Sequence, residues 1–146
     1  MNIQTNTESN KIEIKSNLND AKYATGRRKK SIAKVWVKKG SGNILVNGKK
    51  ISEYFKKKNL QISIFRPIVV AKRENEFDVR CDVKGGGLTG QAGAIILGLS
   101  RAILQFEPEL KSALKKEKLT SRDSRAVERK KYGHKKARRS FQFSKR

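Results

Sequence analysis

Between Lys111 and Arg146 the chain carries fifteen Lys or Arg against three acids, Glu117, Asp123 and Glu128. After Tyr132 no acid remains, and Lys135, Lys136, Arg138, Arg139, Lys145 and Arg146 run to the end with few apolar residues between them. Such a stretch repels itself in water and buries too little surface to fold alone. The rest of the chain can be read as its mount. The stretch itself calls for a polyanion along its length, and phosphate backbones are the commonest in a cell.

The whole chain has 146 residues and a net charge of +23, of which twelve lie in that end and eleven before it. This length suits one small domain with extensions. The expected division is a flexible N-terminal extension over residues 1–22, a globular α/β RNA-binding domain over 23–118 and a basic C-terminal tail over 119–146. Residues 1–22 have only Ile12, Ile14 and Leu18 as larger apolar groups, too few to offset the entropy of ordering. Nucleic acid outranks other polyanions as partner. A membrane is not expected: the tail lacks an apolar helical face, no apolar run approaches the roughly 18 residues of a spanning helix, and residues 1–20 have no signal-peptide centre. Cys81, the single cysteine, has no Cys or His beside it and reads as a small buried thiol rather than a metal ligand.

Thr25-Gly26-Arg27-Arg28-Lys29-Lys30 puts a glycine and four cations ahead of a strand pattern, an arrangement suited to phosphate contact, Gly26 allowing close approach of a partner. Ala33, Val35 and Val37 alternate with Lys34, Trp36 and Lys38, the period of a strand with one apolar face. Trp36 falls on the cationic face, where packing beneath a neighbouring loop is favoured over stacking on a base. Gly40-Ser41-Gly42 marks a turn and Ile44 and Val46 a second strand, together a hairpin, with Asn47-Gly48 a further turn. Ser52 is placed as the cap of a short helix through Tyr54 and Phe55. Over 60–80, Leu60, Ile62 and Ile64 alternate like a strand, and Pro67 to Ala71 fits either a buried strand or a helix beginning at Pro67. Phe77, Val79, Cys81 and Val83 define a clear strand.

Gly85-Gly86-Gly87-Leu88-Thr89-Gly90 then formally satisfies a dinucleotide-loop spacing, but the chain has no room for the repeated strand-helix units of such a fold, and no Lys-Ser/Thr pair follows. Structural turn and seat for an RNA phosphate remain equal readings. Ala92, Ile95, Ile96, Leu99, Ala102, Ile103 and Phe106 recur at helical spacing as the core helix, in which Gly93 and Gly98 imply close packing. Pro108 opens another helix with Leu110, Ala113 and Leu114 inward. Thr120 and Asp123 resemble a capping box, and a short helix beyond would align Arg122, Arg125 and Arg129 for phosphate pairs. Gly133 would end that turn, leaving an extended remainder. His134 has no nucleophile or ligand set beside it and reads as an RNA or solvent contact. Two rival classes are a nonspecific DNA-compacting protein, which explains the charge but not a long core with one terminal tail, and a small phosphate-handling enzyme, for which no convincing acid, base or metal set is present.

Several blocks occur in order: Thr25-Gly26-Arg27-Arg28-Lys29, Val83-Lys84-Gly85-Gly86-Gly87 with Gly90 to Ile95, Arg122-Asp123 with Val127 to Lys131, Lys136 to Arg139, and Gln142 to Arg146. Over residues 23–146 they resemble the family of the bacterial-type ninth protein of the small ribosomal subunit. The resemblance implies an α/β (α+β) fold, a small sheet with packed helices like the second domain of the fifth small-subunit protein, plus a long extended basic tail. It implies a structural, non-enzymatic role in the subunit head, without cofactor or metal, in a cytoplasmic or organellar ribosome. The implied partners are small-subunit ribosomal RNA, peptidyl-site tRNA and neighbouring ribosomal proteins. Carried over by position, Arg146 contacts a phosphate of that tRNA and Lys145 assists. Ribosomal RNA would be held by Arg27, Arg28, Lys29, Lys30, Lys84, Gly85, Gly86, Gly87, Arg122, Arg125, Arg129, Lys130, Lys131, Lys135, Lys136, Arg138 and Arg139. Ser140-Phe141 departs from the family's common Arg-Pro, removing a cation and a rigid turn before the tip.

Overall fold

In the computed structural model, which describes residues 20–145, five strands form one sheet in the order β1-β2-β5-β3-β4. The strands are β1 (Lys22–Arg28), β2 (Ser31–Lys39), β3 (Ile44–Val46), β4 (Lys49–Lys50) and β5 (Phe77–Lys84). The helices are α1 (Ile51–Tyr54), α2 (Lys58–Val70), α3 (Leu88–Phe106) and α4 (Lys111–Lys116), the last preceded by a 3-10 turn over Pro108–Leu110. This is the expected α+β class.

Alternation decides which face of the sheet is covered. Ala24 and Gly26 of β1, Ala33, Val35 and Val37 of β2, and Phe77, Val79, Cys81 and Val83 of β5 all point inward and are buried. The long helix α3 lies across them, and α2 packs against α3. Ile64, Ile95, Leu99 and Ile103 are completely buried between these layers; each such side chain contributes about 1.5–3 kcal/mol relative to exposure. Cys81 sits within this core, and burial pushes its thiol far above the ordinary range. It is chemically quiet, as expected.

Four local expectations are corrected. Lys22, placed in the flexible extension, and Thr25 to Arg28, read as a glycine and cations ahead of a strand, belong to β1, paired antiparallel with β2 from Lys22↔Val37 to Arg28↔Ser31. The small inward residues Ala24 and Gly26 gave no apolar alternation to detect. The expected β2-β3 hairpin does not form: β3 runs parallel to the far side of β5, with Ile44 opposite Val79. Asp78 redirects the chain, its Oδ1 accepting the backbone N–H groups of Ser41 (2.9 Å) and Asn43 (3.0 Å). Although partial burial opposes it, these hydrogen bonds hold the Asp78 carboxyl below its usual range. The third correction concerns α2, a continuous helix that runs through Pro67. Ile64, Pro67 and Ile68 are buried at i, i+3, i+4 while Ile62 stands 69% exposed, so the apparent two-residue alternation crossed two helical faces. Finally, α1 begins after Lys50 without a side-chain cap, so Ser52 lies inside it rather than capping it.

The glycines of α3 answer to packing. A Cβ on Gly98 would meet Val35 Cγ2 and the backbone N of Gly26, and one on Gly26 would overlap the Ala94 carbonyl. Strand β1 and helix α3 therefore approach backbone to backbone. Gly26 is accounted for inside the fold, without appeal to a partner.

Candidate nucleic-acid interface

Strands β1 and β2 are joined at Lys29-Lys30, with Lys29 in the left-handed region at φ 51°. Beside this turn lies the loop between β5 and α3, where Gly85 and Gly86 also have positive φ, 73° and 64°. A Cβ on Gly85 would press on the Lys30 carbonyl, and one on Gly86 would overlap Ser31 Oγ. The buried Ser31 hydroxyl donates to the Gly85 carbonyl at 3.0 Å, and Gln91 Nε2 reaches the same oxygen at 3.3 Å. Gly87, by contrast, has open space around its Cα and precedes the first turn of α3, which carries no acid and no side-chain cap. The loop thus has a structural reason for two glycines, and it leaves the positive end of a 19-residue helix facing outward beside Lys29, Lys30 and Lys84.

Next to this end begins the C-terminal segment. Leu119 is buried, Glu117 pairs with Arg66 of α2, and Asp123 pairs with Arg28 of β1 at 3.2 Å. A cavity of about 330 Å³ lies between these contacts, its wall including Arg27, Arg28, Arg66, Lys118 and Arg125 together with Gly93 and Leu119. Arg28 projects inward because it has the parity of Ala24 and Gly26, and its stem fills the space left by Gly93. Its Nε is buried with no hydrogen-bond partner among the described residues.

The helix expected after Thr120 is not formed. Asp123 is used differently: its carboxylate accepts from the side chain of Arg125 (3.0 Å from Nε, 2.8 Å from Nη2) and from the Arg125 backbone N–H. The Arg125 side chain above all, then its backbone N–H, hold this carboxyl well below the usual range even against some desolvation. Asp123 thus commits its carboxylate to Arg28 and Arg125 rather than reaching back to the Thr120 backbone as the acid of a capping box. Farther on, Glu128 accepts from Lys131 (2.6 Å) and Arg138 (3.0 Å), which hold it ionised below its ordinary range. His134 faces Ser140 across an isolated bridge, Nδ1 to Oγ 3.1 Å, and Lys135 N–H reaches the Arg139 carbonyl at 2.7 Å. Residues 134–140 therefore form a loop where an extended run was expected.

Of the residues singled out in the sequence, Arg27, Arg28, Lys29, Lys30, Lys84, Gly85, Gly86, Gly87 and Arg125 meet at one end of the domain. Lys130, Lys131, Lys135, Lys136, Arg138 and Arg139 lie along the exposed C-terminal segment with Arg122, Arg129 and Lys145. Arg146 lies outside the described residues, as do residues 1–19 of the expected N-terminal arm. Arg66 and Lys118 were missed; Arg66 sits in the stretch whose helical period was obscured, so its pairing with Glu117 at the cavity wall could not be read. Among the described residues there is no cluster of metal-ligating side chains and no helix long and apolar enough to cross a membrane. The family model of ribosomal protein S9/S16 matches residues 26–146.

Proposed function

We propose, from the premise that this chain belongs to the ribosomal protein S9/S16 family, that its basic end seats ribosomal RNA and that its C-terminal segment continues through RNA to the peptidyl-site tRNA. The family makes it a structural protein of the small ribosomal subunit, taking part in translation as a component of a ribonucleoprotein. That answers the rival of a DNA-compacting protein, and the family is in general non-enzymatic. Its ribosome is cytoplasmic or organellar.

The observation that carries the finer reading is the meeting of three basic elements, the Lys29-Lys30 turn, the glycine loop at the α3 N-terminus and the root of the C-terminal segment. Guanidinium and ammonium groups there suit phosphate oxygens, while backbone N–H groups at the helix entrance add uncharged donors. Beyond the root, a cationic segment of small cross-section enters crevices that a folded domain cannot. Lys145 and Arg146 at its tip supply charge to a tRNA phosphate by position alone, without covalent chemistry.

The test is a small subunit assembled with protein lacking residues 143–146. Assembly should proceed while affinity for peptidyl-site tRNA falls; unchanged tRNA affinity in a fully assembled particle would remove the tip from this role.

A further inference from the structure

Among the described residues the main core cluster lies on one face of the sheet, and on the other Leu45 of β3, opposite Arg80, is the one buried hydrophobic. On this second face Tyr23, Trp36 and Arg80 are direct neighbours across β1, β2 and β5. The two rings lie 5.3 Å apart at an angle of 41°, and the Arg80 guanidinium stands 5.9 Å from the Trp36 ring. The adjoining rows on this face are Thr25, Lys34 and Asp82, then Arg27, Ile32 and Lys84. Tyr23 is 42% and Ile32 45% exposed. The water side of an antiparallel sheet ordinarily alternates to polar residues; here Tyr23 and Ile32 leave apolar surface open beside a half-buried Trp36.

The charges on this face are also unequal. Its two β5 carboxylates, Asp78 and Asp82, stand opposite Lys38 and Lys34, which leaves Arg27, Arg80 and Lys84 without an acid across the ladder. Aromatic rings in a cationic surround match a strand of nucleic acid whose bases are free to stack, since every base has a π-face and every linkage a negative charge. A duplex cannot use such a surface, because its bases are already stacked on each other. We propose that this open sheet face is a second RNA site, taking a single-stranded segment with a base stacked on Tyr23 at the end of the Tyr23–Trp36–Arg80 row and phosphates against Arg27 and Lys84. It rests on RNA being the partner, as above, and extends from the tail-root cavity, with which it shares Arg27, onto the open face of the sheet.

Trp36 is the only tryptophan, so its emission reports this face and not the C-terminal segment. The full chain is titrated with a labelled single-stranded RNA of about ten nucleotides, within the site size of one small domain, and with a duplex of the same length. Trp36 emission and the anisotropy of the label are followed together. The single strand should change both in step, while the duplex should raise anisotropy and leave emission unchanged. Tyr23→Ser should weaken the emission-detected affinity roughly tenfold, as expected for removing one base stack, with Arg80→Ser as a second variant on the same face. Binding of the single strand with unaltered emission would overturn this site alone, as would equal emission changes with duplex or full affinity in both variants. Emission changed only by an acidic protein fraction would assign the face to protein and overturn it too. Failure of both RNAs to bind would instead overturn the RNA-binding reading from which it starts.

Discussion

Ile95, Leu99 and Ile103 of α3 are completely buried, whereas Val127, Tyr132 and Phe143, of comparable apolar size, are 87%, 103% and 86% exposed beyond α4. The first group lies on a helix whose neighbours close over it; the second is separated by cations that must stay in water or meet an anion. Polar contacts divide in the same way. Before α4 they link distant segments, as Asn47 does in forming two hydrogen bonds with the Val83 backbone. After Asp123 they join near neighbours, Glu128 with Lys131 and Arg138, Asp123 with Arg125. Residues 117–123 are the hinge between these regimes, held by one buried leucine and two ion pairs. Apolar burial fixes the shape of the first region, and charge leaves the second to be fixed by what it binds.

Gly26→Val probes this division most severely. If Gly26 serves the β1-α3 contact, its new side chain overlaps the Ala94 carbonyl, and the protein should lose about 3 kcal/mol or more of stability in urea titration. Normal stability with weakened RNA binding would instead return this glycine to the interface. Leu99→Ala removes a fully buried side chain and should cost about 2–5 kcal/mol. In the charged region the pattern reverses. Arg138→Glu with Arg139→Glu should leave stability in urea within about 0.5 kcal/mol of the parent, yet lower RNA affinity and reduce its salt slope by about one for each phosphate no longer neutralised. A shifted midpoint would mean that the segment packs on the core.

The smallest effect belongs to the hinge. Asp123 has a lowered carboxyl pKa, so its favourable contribution is complete above the ordinary carboxylate value of about 4 and is lost as pH falls below that toward the lowered value. Asp123→Asn should therefore melt slightly earlier than the parent at neutral pH, and the gap should close on acidification through that range. A gap constant with pH would mean that the ion pair with Arg28 does not hold the root.

The sequence was legible where one period dominated. The strand with Phe77, Val79, Cys81 and Val83, and the core helix with Ile95, Leu99 and Ile103, were read with their inward faces. It was illegible where side chains carried no contrast: Ala24 and Gly26 pack β1 against α3 because they are small, and smallness has no apolar signature. Missing β1 concealed that Arg28 shares their parity and points inward to Asp123, so a residue read as a phosphate ligand also serves the tail root. The parallel pairing of β3 was hidden because it depends on the Asp78 carboxylate, thirty-five residues from Asn43. Of the candidate site, the cations and the glycine loop were found from composition and order, but their meeting at one end is a property of topology.

Hydrogen exchange of the protein, free and within the assembled small subunit, bears on both regions at once. Amides of β2, β5 and α3 should be protected in both states, while those of residues 124–145 should exchange rapidly in the free protein and slowly in the subunit. Protection of that segment in the free protein, or its continued rapid exchange in the subunit, would contradict the view that it takes its structure from RNA.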